Sequence, residues 1–414
     1  MTGLKVLVLV MAGGEGKRLD VLTEERAKPS IPFAGLYRLI DFPLSNCMHS
    51  GLSDVWLVEQ YESHSINEYV ASGRAWDLDR THGGLRLLPP YLGDEESGWH
   101  QGNADAVYKN KSLIEEFRPD HVIVLSADHV YKLDYGDVIN RHVDGKAALT
   151  MVTTKVSKEE AGRFGVVHVD DGRVVGFEHK PDSPDSDLVS TEVFVFTWRT
   201  LIDVLEDFSN EASKGRNGES SLEDFGDQLI PRLVDDGSVH EYRHEGYWRD
   251  VGTIEAYWES HMELIGPKPR LDLADPAWPI LTRGPTRSPA YVDAGAKVER
   301  SLLSPGCRIH GHVVSSVLSP GVIVEEGAKV RGSVLLHDVV VRSGASVGTA
   351  IVDAEVEVEA GAQIGEPVTP ERSPVKSSAG VSAEDIAVVG VGAKVGPRAN
   401  VAPGNRVKPG KILS

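Results

Sequence analysis

The run LKVLVLVMAGGEGKRL, Leu4 to Leu19, decides the architecture of the first part of this chain. Its apolar half, Leu4 to Val10, is short and continuous, as a buried strand of a parallel sheet should be. The stretch MAGGEGKRL, Met11 to Leu19, ends that strand in Gly-Gly-x-Gly, where backbone N–H groups stand with no side chains in the way. Such a loop wraps a phosphate chain, Lys17 and Arg18 add charge-assisted hydrogen bonds to it, and the basic positions Arg26 and Lys28 follow. The two best-known glycine loops do not fit. A Walker loop needs Ser or Thr where Arg18 stands and Gly where Met11 stands, and a dinucleotide fingerprint needs Gly in place of Leu19. The glycines alone would also suit an ordinary strand-to-helix turn; the clustered cations favour a nucleotide.

With 414 residues the chain exceeds what one core ordinarily organises, and two domains are expected. Its net charge is −19, from 43 Lys and Arg against 62 Asp and Glu, and the cations form no long run. That balance argues against a nucleic-acid or acidic-membrane partner, so an anionic substrate requires a local basic pocket. Cys47 and Cys307, the only cysteines, fall in different expected domains. Neither a disulfide framework nor a zinc site follows, and a reducing cytoplasm is the expected compartment. The 15 histidines show no ligand spacing. Val6 to Val10 is too short for a signal core, and no apolar segment reaches membrane-spanning length.

Residues 1–265 alternate apolar runs with helical patterns, as a mostly parallel sheet requires. The expected strands are Lys5–Val10, Asp54–Val58, His121–Ser126, Ala148–Lys155, Gly165–Val169 and Glu192–Thr197. The expected helices are Pro43–His49, Ser63–Ala71, Asn103–Glu116, Tyr135–Asp144 and Arg199–Asp207. Residues 266–290 hold Pro267, Pro269, Pro276, Pro279, Pro285 and Pro289 and read as an extended linker. Residues 291–414 are periodic. Val313, Val330, Val347 and Ile364 are spaced by seventeen, as are Leu318, Leu335 and Val352, and Val324, Val341 and Val358. Within each coil the apolar positions recur at six, six and five residues, and Val389, Val395, Val401 and Val407 repeat the six-residue step. One apolar inward residue in six is the signature of a parallel β-helix. Glu366–Asp385 breaks the period and is expected to be a loop, and the open end coils predict association with a neighbour.

Several motifs stand in order along the chain: the glycine loop, RAKP (Arg26–Pro29), YRLIDFPLSNC (Tyr37–Cys47) and QY-x-SH (Gln60–His64). They continue as W-x-QG-x-ADAV (Trp99–Val107), SADHVYKLDY (Ser126–Tyr135), FGVV (Phe164–Val167) and YWRDVGTIEAYW (Tyr247–Trp258). This string, ending in hexapeptides, closely resembles the ADP-glucose pyrophosphorylase (glucose-1-phosphate adenylyltransferase) family over nearly the whole chain. The resemblance implies an α/β, Rossmann-like nucleotidyltransferase domain followed by a C-terminal left-handed parallel β-helix. It further implies a cytoplasmic homotetramer under small-molecule allosteric control that feeds glycogen or a related α-glucan.

The chemistry implied is attack of a sugar 1-phosphate oxygen on the α-phosphorus of ATP, with pyrophosphate leaving in line. The nucleophile is already an anion, so no general base is needed; two polyanions must be brought together and their charge neutralised. Carried over by position, Gly13, Gly14, Gly16 and Gly102 cradle the nucleotide, Arg18 and Lys28 pair its charge, and Gln60 and Gln101 read the adenine edge. Arg18, Lys28 and Asp128 form the catalytic set, and Asp128 and Asp250 hold Mg²⁺, whose preference for hard oxygen ligands they suit. Glu178, Lys180, Ser190, Glu192 and Asp250 are assigned to the sugar phosphate, with Lys180 on its phosphate.

The sequence departs from the family pattern at several positions. His100 replaces an aromatic residue and Asn103 a threonine; His179 replaces a sugar-binding Glu in EHKP. Ser190-Thr191-Glu192-Val193-Phe194 stands where the family has Ser-Met-Gly-x-Tyr, and Leu36 stands where some members have an activator-binding lysine. A carboxylate lost at His179 and gained at Glu192 suggests a relocated hydroxyl contact or a pocket that takes an amino sugar, and Leu36 suggests a changed activator. The alternatives are a relative using another sugar 1-phosphate or nucleotide, a non-catalytic regulatory subunit, a β-helix scaffold, and an acyltransferase using His310, His312 or His337. Asp128, Lys180 and Asp250, all present, weigh against loss of catalysis.

Overall fold

The apolar run after Leu4 forms the strand Val6–Ala12, buried from Leu7 to Val10 and paired in parallel on both sides, with Asp54–Glu59 and His121–Ser126. In the computed structural model the described residues are 3–14, 16–90, 100, 102–214, 222, 224–266, 268–368 and 380–414. They divide into two compact units: Met1–Gly14 with Phe42–Trp248, and Glu15–Asp41 with Arg249–Ser414.

The first unit is built on a nine-stranded sheet. Its order runs from Gly84–Leu88 through Asp54–Glu59, Val6–Ala12, His121–Ser126, Leu188–Thr197, Leu149–Lys155, Val239–Arg243 and Arg173–His179 to Gly165–Asp170. The sheet is mostly parallel in direction, seven of its nine strands running one way and Leu188–Thr197 and Arg173–His179 the other. Strand Leu188–Thr197 runs antiparallel to both of its neighbours, and the far edge is the antiparallel hairpin 165–179. Helix Trp198–Lys214 shows the amphipathic reason for its position: Leu201, Ile202, Leu205 and Phe208 share one buried stripe in the main core. The helical pattern over Asn103–Glu116 is divided at Asn110 into Asn103–Lys109 and Lys111–Phe117, and Asn110 turns its side chain back to the Ala106 carbonyl at 2.9 Å. Leu188–Thr197 begins four residues earlier than the pattern Glu192–Thr197 predicted, which puts Glu192 inside the strand.

The second unit holds the β-helix. Three sheets of parallel strands stack coil on coil, and the repeat positions face inward together. Val324, Val341, Val358 and Val395 lie in one sheet; Val313, Val330, Val347, Ile364 and Val401 in the second; Leu318, Leu335, Val352, Val389 and Val407 in the third. This is the left-handed β-helix that the hexapeptide pattern describes, its core of Val, Ile, Leu and Ala buried to 5% exposure or less. Val352 pairs with Val389, thirty-seven residues on instead of seventeen, so the Glu366–Asp385 segment is an insertion that leaves the coil register intact. Residues 369–379 of it lie outside the described set. Buried serines add a polar ladder: Ser316 and Ser333 each accept from the backbone N–H of the next coil, at 3.2 Å.

The segment 15–41 joins this unit through specific contacts. Arg26 sets one guanidinium nitrogen 2.9 Å from both carboxylate oxygens of the fully buried Asp353. Tyr257 and Trp258, from helix Ile254–Leu264, donate to the carbonyls of Pro32 and Gly332. Cys47 and Cys307 are buried free thiols, and burial raises both, Cys307 to about 11.

Candidate active site

Three parallel strands in register deliver the first set of residues. Ala12 lies opposite Glu59 and Met11 opposite Ser126, so Gly13, Gln60 and the Ala127-Asp128 pair leave the sheet at one edge, at the carboxyl ends of the strands. That edge is where open α/β sheets bind ligands. Gly13 and Gly14 have ordinary backbone angles. A Cβ on Gly14 would meet nothing within 4 Å, and one on Gly13 only Gln60, at 3.4 Å. The fold does not itself demand glycine there, so the bare backbone is available to a ligand. Gly16 differs: at φ 71° its added Cβ would press 2.9 Å from Thr23 Cγ2, so this glycine makes the turn.

Gln60 Nε2 donates to the His100 carbonyl at 2.8 Å. His100 is 7% exposed, and both of its ring nitrogens are buried with no hydrogen-bond partner among the described residues; burial lowers its pKa. Gln101 lies outside the described residues, and Gly102 is the extended residue before helix Asn103–Lys109. Glu59, beside Gln60, was not singled out by motif reading. Burial pushes its carboxyl up to about 7 even though Asn67 donates to it at 3.1 Å. Only its place at a strand terminus, one residue before a motif glutamine, hinted at it.

Asp128 accepts from the Ser126 hydroxyl. Next to it the buried His129 donates from Nδ1 to the Thr191 carbonyl at 3.1 Å. This leaves Nε2 at 3.5 Å from Asp128 Oδ1 and 4.0 Å from Glu192 Oε2. A histidine that sequence reading passed over therefore stands between the proposed metal carboxylate and the proposed sugar carboxylate.

Lys180, Ser190 and Glu192 come together in a partly open cavity, lined also by Asn103, His179 and Asp224. His179 pairs through Nδ1 with Asp227 Oδ1 at 2.6 Å. Strand alternation takes Glu178 to the other face, where it is exposed beside the half-buried His168 and the exposed Asp185. Their ligand-type atoms lie within 4.8 Å of one another, and Glu178 is not among the cavity residues.

Arg18, Lys28 and Asp250 belong to the second unit. Lys28 Nζ is 3.5 Å from Asp250 Oδ1, and both side chains are more than nine-tenths buried. Gly252 lies against both Asp250 and Arg18: a Cβ there would lie 2.8 Å from Asp250 Oδ2 and 3.3 Å from an Arg18 guanidinium nitrogen. Leu36, in the turn between the short strands Pro32–Phe33 and Tyr37–Arg38, points toward Gly284.

A phosphate-type glycine loop on a strand of a mixed α/β sheet, with a hexapeptide β-helix after it, defines a nucleotidyltransferase with an appended β-helix. The family model described as nucleotidyl transferase matches residues 7–266, and the GlmU-like C-terminal hexapeptide model matches residues 290–389. The chain is 44% identical to a glucose-1-phosphate adenylyltransferase of Thermotoga maritima, over 78% of this chain and 76% of that one. It is 41% identical to one of Fervidobacterium nodosum (79% and 78%) and 40% identical to one of Clostridioides difficile (79% and 83%). The chain belongs to the glucose-1-phosphate adenylyltransferase family.

Proposed function

We propose that the protein transfers the adenylyl group of ATP to α-D-glucose 1-phosphate, forming ADP-glucose and pyrophosphate. The observation that carries this reading is identity of 40–44% over more than three quarters of the chain to relatives bearing that name. A phosphate oxygen of the sugar phosphate bonds to the α-phosphorus, the bond from that phosphorus to the bridging oxygen of pyrophosphate breaks, and no proton need move. Gly13, Gly14 and Gly16 offer backbone N–H groups to the triphosphate, Arg18 and Lys28 its countercharge, and Gln60 and Gln101 the base contacts, with Gly102 also at the nucleotide. Lys180 holds the sugar phosphate, with Ser190, Glu192 and Asp250 assigned to the same substrate and Glu178, on the other face, withdrawn from it.

The donor chemistry fits a hard divalent cation. Asp128 keeps its carboxylate 19% exposed beside Ser126, and Asp250 offers a second one whose charge Lys28 offsets. Mg²⁺ held by these two would neutralise charge developing on the transferring phosphoryl group. Lys28 then orients Asp250 as well as facing the nucleotide. A cytoplasmic homotetramer with small-molecule effectors, supplying α-glucan synthesis, completes the reading. Leu36 supports an activator unlike one that a lysine there would bind.

The test is pyrophosphate release over a grid of four nucleoside triphosphates and several sugar 1-phosphates. ATP with glucose 1-phosphate should turn over fastest among neutral sugars. A clear preference for UTP or dTTP, or no turnover at all, would overturn the assignment.

A further inference from the structure

We propose that the cavity around Glu192 also takes an amino-sugar 1-phosphate, with the Glu192 carboxylate pairing with the substrate ammonium while Lys180 holds the phosphate. The proposal rests on the adenylyl-transfer reading above. Two non-glycine residues lining this cavity have left-handed backbones, Lys180 at φ 48° and Glu192 at φ 56°. That region is unfavourable for side chains larger than glycine and persists where the surroundings over-determine it, often at ligand sites. The two residues carry opposite charges.

The geometry at Glu192 is built. From Ser190 to Phe194 the strand Leu188–Thr197 sets four residue steps against two of its neighbour, from Thr153 to Met151. Such a bulge re-aims side chains and is common beside active sites. Thr191 pins it: its hydroxyl donates to the Val152 carbonyl at 3.0 Å, and its own carbonyl accepts from His129 at 3.1 Å. Ser190 Oγ accepts from the Glu192 N–H at 3.3 Å. Ser190, Glu192 and Phe194, alternate residues of the strand, all line the cavity.

The charge of the lining selects the ligand. Asp224 accepts from the Asn103 N–H at 3.3 Å, and Asp227 pairs with His179, so these two carboxylates hold the wall. Glu192, its side chain half exposed, brings a further negative charge into a pocket whose substrate is already anionic. A neutral sugar phosphate gains from that carboxylate only hydroxyl hydrogen bonds, against like-charge repulsion. A sugar that carries an ammonium at one end and phosphate at the other matches Glu192 and Lys180 together.

The test measures kcat/KM with ATP for glucose 1-phosphate, glucosamine 1-phosphate and the uncharged analogue N-acetylglucosamine 1-phosphate. The native chain should use glucosamine 1-phosphate at least about as well as glucose 1-phosphate. Glu192→Gln should lower kcat/KM for the amino sugar by about tenfold or more beyond its effect on glucose 1-phosphate, as loss of a charged hydrogen bond does. The N-acetyl analogue should show no such differential. Glu192→Gly, which accepts the left-handed backbone without strain, should fold and show the same loss of selectivity, separating charge from backbone. Turnover of glucose 1-phosphate with rejection of glucosamine 1-phosphate, or equal losses on both sugars in either variant, would overturn the proposal alone. A native chain inactive on both sugars would instead overturn the adenylyl-transfer reading on which it rests.

Discussion

The coils of the β-helix and the nine-stranded sheet use the same unfavourable backbone for opposite ends. In the coils, Ser315, Asp338, Thr349 and Glu355 take left-handed angles at the corners of a repeat, and the core beneath is a stack of near-interchangeable Val, Ile and Leu. In the sheet, Lys180 and Glu192 take those angles without repetition, in one cavity with titratable neighbours. Repetition spreads strain over many equivalent turns and yields a stable, chemically uniform rod. An unrepeated departure has to be held by its own contacts, as Thr191 and His129 hold the bulge, and chemistry collects there.

This contrast says that damage to the second unit outside its charged cluster should appear as lost stability, and damage to the proposed site as lost kinetics. The largest effect is expected from Arg26→Ala, which strips the fully buried Asp353 of its cation. Removing one partner of a buried pair costs about 3–5 kcal/mol, read as a lower denaturation midpoint. Unchanged stability with lost turnover would move Arg26 from the scaffold to the chemistry. Next, Asp128→Asn and Asp250→Asn should each lower kcat by about 10²-fold or more, with a smaller change in KM for ATP, because each weakens the charge holding the cation. Near-normal kcat in both variants at saturating Mg²⁺ would remove the metal assignment.

Lys180→Gln should raise KM for glucose 1-phosphate by an amount worth ~2–3 kcal/mol, leaving KM for ATP little changed, since its ammonium meets a charge present throughout the reaction. Loss of ATP binding instead would place Lys180 on the nucleotide side. The smallest effect concerns acid. Burial, with His121 and His240 near, holds the His142 imidazole down at about 3, while an unfolded chain keeps it near ~6.5. Between those values the unfolded state binds more protons, so stability is complete above about pH 6.5 and falls as pH drops toward about 3. His142→Gln should flatten that acid limb by at most about 1.4 kcal/mol per pH unit, and an unchanged slope in urea titrations would exclude His142 as its cause.

Much of this was legible before any coordinates. The seventeen-residue spacing named the inward residues of the coils one by one, because a β-helix repeats the same local environment and a local pattern suffices to mark it. The strands at 54–59 and 121–126 were equally readable as continuous apolar runs, and 149–155 as a run of apolar and β-branched residues. The interior strands Arg173–His179 and Val239–Arg243 were not, since charged and apolar residues alternate or mix there and pairing alone makes them strands. The mixed direction of the sheet was hidden for the same reason: an apolar run looks alike whichever way its neighbour runs.

By itself the sequence determined the order of the motifs, the hexapeptide coils and membership of a nucleotidyltransferase family, because each is written in contiguous residues whose spacing is their meaning. Only the tertiary structure decided that Arg26 of RAKP turns to Asp353, that His179 is taken up by Asp227, and that Asp250 and Arg18 both lie against Gly252. It also decided that Glu192 lines the cavity with Lys180 while Glu178 does not. Those outcomes join residues dozens to hundreds of positions apart, or depend on a bulge, and which face a strand residue takes changes with a single step of register.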